Sequence, residues 1–146
     1  MAFTGNFLCT SFKTELLKGV HNFTATTGNT FKIALYDSDA TLGASTTAFS
    51  TSEEITNTSG TAYTSGGASL TSVTPVASST TAICDFSDVS YSSASFTANG
   101  ALIYNSSASN VAVCAIAFGS DKTATNGTFT IQFPTADATN AIIRLA

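Results

Sequence analysis

The feature that most constrains this chain is an alternation of apolar and polar residues, which begins near Thr30 and returns in segment after segment. A period of two is typical of strands that bury one face. Ser, Thr, Gly and Asn separate the segments, as in turns between strands. Roughly seven to nine short strands of this kind predict a mostly β domain, either a β-sandwich or a jelly-roll-like barrel.

Individual segments predict which side chains face the core. In residues 30–36, Phe31, Ile33 and Leu35 share one face, with Lys32 and Tyr36 opposite. Ala82, Cys84 and Phe86 alternate in the same way, and so do Phe129, Ile131 and Phe133. Residues 111–118 are apolar on both faces, which predicts a central strand covered on both sides.

Turn-forming residues predict where the strands end. The Asn99-Gly100 pair is a strong signal for a tight turn or a bulge. The segments rich in Ser, Thr, Gly and Asn are expected to be loops, namely Asp37 to Thr47, Asn57 to Ala68 and Ser120 to Gly127. A last strand is expected within residues 140–146.

One helix is predicted, from Cys9 to Phe23, because the spacing of its apolar residues is helical. Its buried face would carry Phe12, Leu16, Leu17 and Val20, with Thr10 or Ser11 as cap and Gly19 near its end. An N-terminal arm and this helix then occupy residues 1–23, and a β-sandwich occupies residues 24–146. No linker separates them, so a single domain is expected.

The charge pattern limits the partners. Only 10% of residues are charged, against roughly 25% in typical soluble domains. The net charge is -4 and the five cations are dispersed, which argues against nucleic acid or an anionic membrane as partner. The polar surface must come from neutral Ser, Thr and Asn, a weak defence against self-association. We therefore expect a homo-oligomer, with a trimer as the first guess.

The beginning of the chain lacks the pattern of a secretory signal, and no apolar run is long enough to span a bilayer. Synthesis in a cytoplasm is expected. Cys9, Cys84 and Cys114 are odd in number and have no C-x-x-C spacing, which favours buried, reduced thiols.

Residues that could carry chemistry are few. His21 is the only histidine, and no G-x-S-x-G string accompanies it, although a Ser-His-Asp arrangement could still assemble in the fold. Its expected role is to contact free carbonyls at the end of the predicted helix. No G-x-G-x-x-G or P-loop string is present, so no cofactor is predicted.

The carboxylates suggest one candidate metal site. Asp37 and Asp39 could aim at one calcium ion, but further ligands are not evident, and the same string is an ordinary turn. Glu53-Glu54 and the Asp85/Asp88 pair are interpreted as solvated or capping groups. We therefore predict no catalytic, cofactor-binding or metal-binding residue, and no enzyme.

Several strings resemble a family of small virion structural proteins encoded by tailed phages. They are TFKIALYDSDATL, GALIYN and FGSDKTATNGTFTIQFPTADATNAIIRLA, and the opening GNFLCTSFKTELLKGVHNF is similar too. The resemblance spans nearly the whole chain. It implies a virion component that is assembled in the host cytoplasm and has no active-site residues to transfer.

A capsid decoration or cement protein, which stabilises the head shell by binding the major capsid protein or other virion proteins, is the expected role. The candidate contact residues are Phe3, Phe7, Leu8 and Phe12, in a stretch that is short and interrupted by Gly and Asn. The alternative is that these side chains pack on their own domain.

A tail or fibre component, including a host-attachment module, is the second function class. Such a module would expose aromatic side chains on loops, and Tyr63 and Tyr91 are the only suggestive ones.

Overall fold

The computed structural model describes residues 3–56 and 63–146, in which eight strands and one helix occur. In chain order these are β1 (Phe7–Leu8), α1 (Thr10–Leu17), β2 (Phe31–Tyr36), β3 (Ala68–Ser69), β4 (Ser72–Ser78), β5 (Thr81–Phe86), β6 (Val89–Asn105), β7 (Val111–Ile131) and β8 (Ile143–Leu145). One sheet has the order β1-β7-β6-β2-β3 and the other β4-β5-β8, and all pairs are antiparallel. The predicted mostly β, sandwich-like fold with a short N-terminal helix is confirmed.

Two strands are far longer than predicted. β6 has 17 residues and β7 has 21. The expected loop from Ser120 to Gly127 is wrong, because this segment belongs to β7 and pairs with β6, for example Thr123 with Thr97. Their hydroxyl groups lie 2.8 Å apart. Pairing between distant segments outweighs the turn-like composition, since threonine also suits a strand.

The Asn99-Gly100 pair makes no turn and lies inside β6. Ala98 pairs with Lys122 while Gly100 pairs with Ala117, so the register shifts at this point and residues 118–121 bulge from β7. The Nδ2 group of Asn99 donates a hydrogen bond to Oδ1 of Asp121 at 2.8 Å. Of the two expected outcomes, the bulge is the one that forms.

β2 is buried on both faces. Phe31, Ile33 and Leu35 are fully buried, as predicted. Tyr36 was expected to face outward but is only 1% exposed, and its hydroxyl donates to the Ser50 carbonyl at 2.6 Å. The loop before residue 56 therefore covers the second face of β2.

The predicted pattern of β7 is largely confirmed. Residues 112–115 are buried between β1 and β6, whereas residues 116–118 are half-buried. Ile131 and Phe133 are buried, Phe129 is half-buried, and the residues between them are exposed. The last predicted strand is present as β8.

The helix is shorter than the predicted Cys9–Phe23. α1 ends at Leu17, and Gly19 adopts a φ of 72° that reverses the chain. Its N-cap is Cys9, not Thr10 or Ser11, and no side chain caps it. Phe12 is buried as expected, but Leu17 is 92% exposed, because an eight-residue helix buries only a narrow face.

We predict that Gly67→Ala destabilises the fold. Gly67 has a φ of 74°, and a Cβ atom there would overlap the carbonyl oxygen of Ile33 in β2. The expected loss is about 2–4 kcal/mol of unfolding free energy, measured by denaturant titration. The matched control is Gly43→Ala, where a Cβ meets nothing within 4 Å. Equal effects of the two changes would contradict the packing described here.

Candidate functional site

The N-terminal segment lies along the outer edge of β7. Phe7 pairs with Ala115 and Leu8 with Cys114, and the side-chain oxygen of Asn6 accepts the Ala117 N–H at 3.0 Å. The sequence suggested a stretch too short for a strand pair of its own. Its partner is instead the β7 edge, which supplies the hydrogen bonds that the short segment lacks.

The four candidate contact residues do not form one exposed cluster. Phe12 is 1% exposed and belongs to the core, while Phe3 and Leu8 are half-buried and pack against that core. A Cβ atom at Gly100 would overlap the Phe3 ring, so this glycine makes room for Phe3. Phe7, which is 41% exposed, is the candidate that most clearly remains available to a partner.

A groove of about 1200 Å³ opens beside Phe7, between the β7 edge and the C-terminal segment. Its apolar lining includes Leu8, Phe118, Phe129, Phe133 and Ile142. Lys122, Arg144 and Asp121 add charge. Within the described part of the chain, neither cation forms a salt bridge; Lys122 donates to the Ser120 hydroxyl and Arg144 to the Thr139 carbonyl. The groove thus combines apolar walls with two cations.

His21 holds α1 against the sheet. Its Nε2 atom lies 2.9 Å from Oε2 of Glu15, and its Nδ1 atom lies 3.1 Å from Nδ2 of Asn105. Because the Asn105 amide donates, Nδ1 accepts and Nε2 carries the proton that is donated to Glu15. Asn105 also donates to Oδ1 of Asn29 at 3.1 Å.

The expected contact of His21 with free helix carbonyls is wrong, because the helix has already ended and the chain has turned at Gly19. Neither ring nitrogen hydrogen-bonds a serine hydroxyl within residues 3–56 and 63–146. No local pattern indicated Asn105 as a partner of His21, because it lies 84 positions away in the chain.

A third carboxylate joins the two that the sequence suggested. Ligand atoms of Asp37, Asp39 and Glu53 lie within 4.8 Å of one another. The Asp39 N–H donates to Oδ1 of Asp37 at 2.9 Å, which is the hydrogen bond of the predicted turn. Glu53 belongs to another loop, and its backbone carbonyl accepts the Asp37 N–H at 3.1 Å.

Glu54 is buried rather than solvated, contrary to expectation. Its carboxylate accepts hydrogen bonds from the Tyr63 hydroxyl at 2.6 Å, the Ser65 hydroxyl at 2.7 Å and the Gly66 N–H at 2.6 Å. These three donors explain why a carboxylate tolerates burial at this place. Glu54 therefore fastens the loop before β3 to the sheet.

The tyrosines suggested as loop aromatics for a receptor are both in the core. Tyr63 is 1% exposed and Tyr91 is 4% exposed. Burial and the hydrogen bond to Glu54 raise the pKa of Tyr63, and burial raises the pKa of Tyr91 to about 12. Neither ring is placed to contact a host glycan.

Asp85 and Asp88, the second carboxylate pair, both accept hydrogen bonds from backbone N–H groups. Asp85 is 7% exposed, and its Oδ1 atom accepts the Phe86 N–H at 2.8 Å. Burial raises the pKa of Asp85. The exposed Asp88 accepts the Phe133 N–H at 2.8 Å, which joins the end of β7 to the start of β6. Asp88 is therefore exposed and holds a strand end, as expected, whereas Asp85 is buried inside β5 and is neither solvated nor a cap.

All three cysteines are buried free thiols. Burial raises the pKa of Cys9 to about 11 and that of Cys84 to about 12. Burial, followed by the two other thiols, raises the pKa of Cys114 as well. The thiolate form, which is the nucleophile and the metal ligand, is therefore rare at neutral pH.

Within residues 3–56 and 63–146, no helix combines the length and apolar character that crossing a bilayer requires. Comparison with known proteins gave no match to a family model, to a curated protein or to a solved structure.

We predict that the cysteines are unreactive in the native protein. A thiol reagent should modify none of them under native conditions and three per chain after denaturation without reductant, because burial disfavours the thiolate. Finding one thiol in the denatured protein would show a disulfide, and rapid modification of the native protein would contradict the burial.

We also predict that folding needs no metal ion. The Asp37 carboxylate already accepts a backbone hydrogen bond that stabilises its turn. A chelator should leave the melting temperature unchanged, and added calcium should not raise it. Glu53→Gln is the matched variant, since it removes one carboxylate of the cluster. A calcium-dependent rise that this variant abolishes would show that the three carboxylates bind the ion.

Proposed function

We propose that this chain is a structural protein of a tailed-phage virion, a head decoration protein that braces the shell by contacting neighbouring subunits of the major capsid protein. The resemblance of its sequence strings supports the class of protein. The observation that carries the contact is the exposed Phe7 ring at the edge of a large groove with apolar walls.

The two sheets make a rigid support for such a contact. Phe7 is fixed by strand pairing to β7, and the groove beside it is lined by side chains of β7 and of the C-terminal segment. Burying one phenylalanine fully contributes roughly 1.5–3 kcal/mol. Many copies, each with a modest contact to more than one shell subunit, then stabilise the shell through multivalency.

The outer surface of the long hairpin suits broad contact. Ser90 and Thr130 hydroxyls lie 2.9 Å apart across the strands, and Thr97 and Thr123 form a similar exposed pair. Neutral hydroxyls cost less to bury than charges do, and the centres of protein interfaces are poor in charged residues. A surface with so few charges therefore favours packing against other subunits.

We predict that purified protein binds to shells that lack it, and that Phe7→Ser weakens this binding about tenfold or more. The control is Val76→Ser, an exposed apolar residue on β4, which should bind as the wild type does. Point variants are preferable to deleting residues 2–8, because Phe3 and Leu8 also pack against the core.

The same assay separates the head from the tail. Saturation at a copy number comparable with that of the major capsid protein supports the head role, and quantitative mass spectrometry of intact particles measures it. A few copies per particle would support a tail or fibre component. If Phe7→Ser and the wild type bound equally well, the contact with the shell would lie outside β1.

A further inference from the structure

The solvent face of α1 carries an apolar side chain between two cations. Leu17 is 92% exposed, Lys13 lies one turn earlier on the same face, and Lys18 is the C-cap residue. Neither lysine forms a salt bridge with any residue that the structure describes. Lys13, Leu17 and Lys18 are called the helix patch.

A depression of opposite charge lies elsewhere on the surface. It has a volume of about 700 Å³, and Asp37 and Glu53 line it together with the apolar Ile55, Phe96 and Ala124. Asp37 and Glu53 carry ligand atoms within 4.8 Å of each other, so their charges repel unless a cation approaches. This depression is called the acidic pocket.

The helix patch and the acidic pocket lie toward opposite ends of β2. The network of His21 and Asn105 holds α1 near Phe31, the first residue of β2, because Asn105 pairs with Phe31. Asp37 follows Tyr36, the last residue of β2. Six residues of strand span about 20 Å, so the helix patch of one molecule is too far away to fill its own acidic pocket.

We propose that the helix patch binds the acidic pocket of a second copy of this chain. Leu17 enters the depression, and Lys13 and Lys18 face Asp37 and Glu53 at its edge. The match in charge and polarity favours a second copy over an unrelated partner. This contact joins copies of the chain to one another and does not depend on the proposed attachment to a shell.

When each pair of molecules shares one such contact, the contact is heterologous; when the two molecules exchange the contact reciprocally, they form a closed twofold dimer. The heterologous contact, repeated around an axis, closes into a ring, and without closure it continues as a filament. A closed trimer would agree with the expectation from the charge-poor surface. Because the pairs are exposed, high salt should weaken the assembly.

The experiment is sedimentation velocity of the purified full chain over a wide concentration range. The wild type should sediment as a multiple of the 14.9 kDa chain. Leu17→Ser and the double variant K13E/K18E should weaken self-association about tenfold or more, because one loses the apolar contact and the other reverses the charges. Circular dichroism and the melting temperature check that each variant is folded.

Rescue distinguishes this contact from other interfaces. D37K/E53K should also dissociate, and combining it with K13E/K18E in one chain should restore assembly, since both partners then have exchanged charges. Val73→Ser and Val76→Ser are the controls, exposed residues of β4 outside both surfaces that should assemble as the wild type does. A monomeric wild type, assembly of Leu17→Ser at wild-type strength, or failure of the combined variant to reassemble would overturn the proposal.

Discussion

The pairing of β6 with β7 is the interaction on which the rest of the structure depends. The two strands pair from Val89 with Ile131 to Asn105 with Val111. β2 adds to the free side of β6, and β1 adds to the free side of β7. The core, the position of Phe7 and the groove beside it all follow from this hairpin, because every one of them is built on its faces or edges.

This pairing is long but interrupted. Its register shifts at four places, and Ser93, Gly119 and Asn126 near these shifts have positive φ angles. Bulges twist a strand and make its edge a poor template for another strand. The β7 edge beyond β1 is therefore protected against indiscriminate strand addition. Both proposed contacts are consistent with this protection. They use the side chains of Phe7 and Leu17, and neither requires an open backbone edge.

Local patterns predicted the sheet core well, because alternation depends only on neighbouring residues. The inward faces of β2 and of the end of β7 follow from it. What local patterns could not predict depends on distant partners. Thr123 was predicted to lie in a loop, but it pairs with Thr97 across the strands. Glu54 was predicted to be solvated or capping, but it is buried and accepts hydrogen bonds from Tyr63 and Ser65. In each case a polar residue is stabilised by a hydrogen-bond partner that only the tertiary fold supplies.

In the candidate surfaces too, local features were predictable from the sequence and contacts between distant residues were not. The Asp37 and Asp39 turn is local and was predictable, whereas Glu53 joins it through a backbone hydrogen bond between loops. Leu17 was predicted to face the core with Phe12, since helical periodicity alone puts both on one side. The helix ends at Leu17 and the chain reverses at Gly19, so the core side is complete without it. Because the helix ends early, the prediction from periodicity is wrong for Leu17, and this side chain lies in solvent beside Lys13 and Lys18. Covering that leucine is the largest apolar gain that a single exposed residue of α1 offers to a neighbouring molecule.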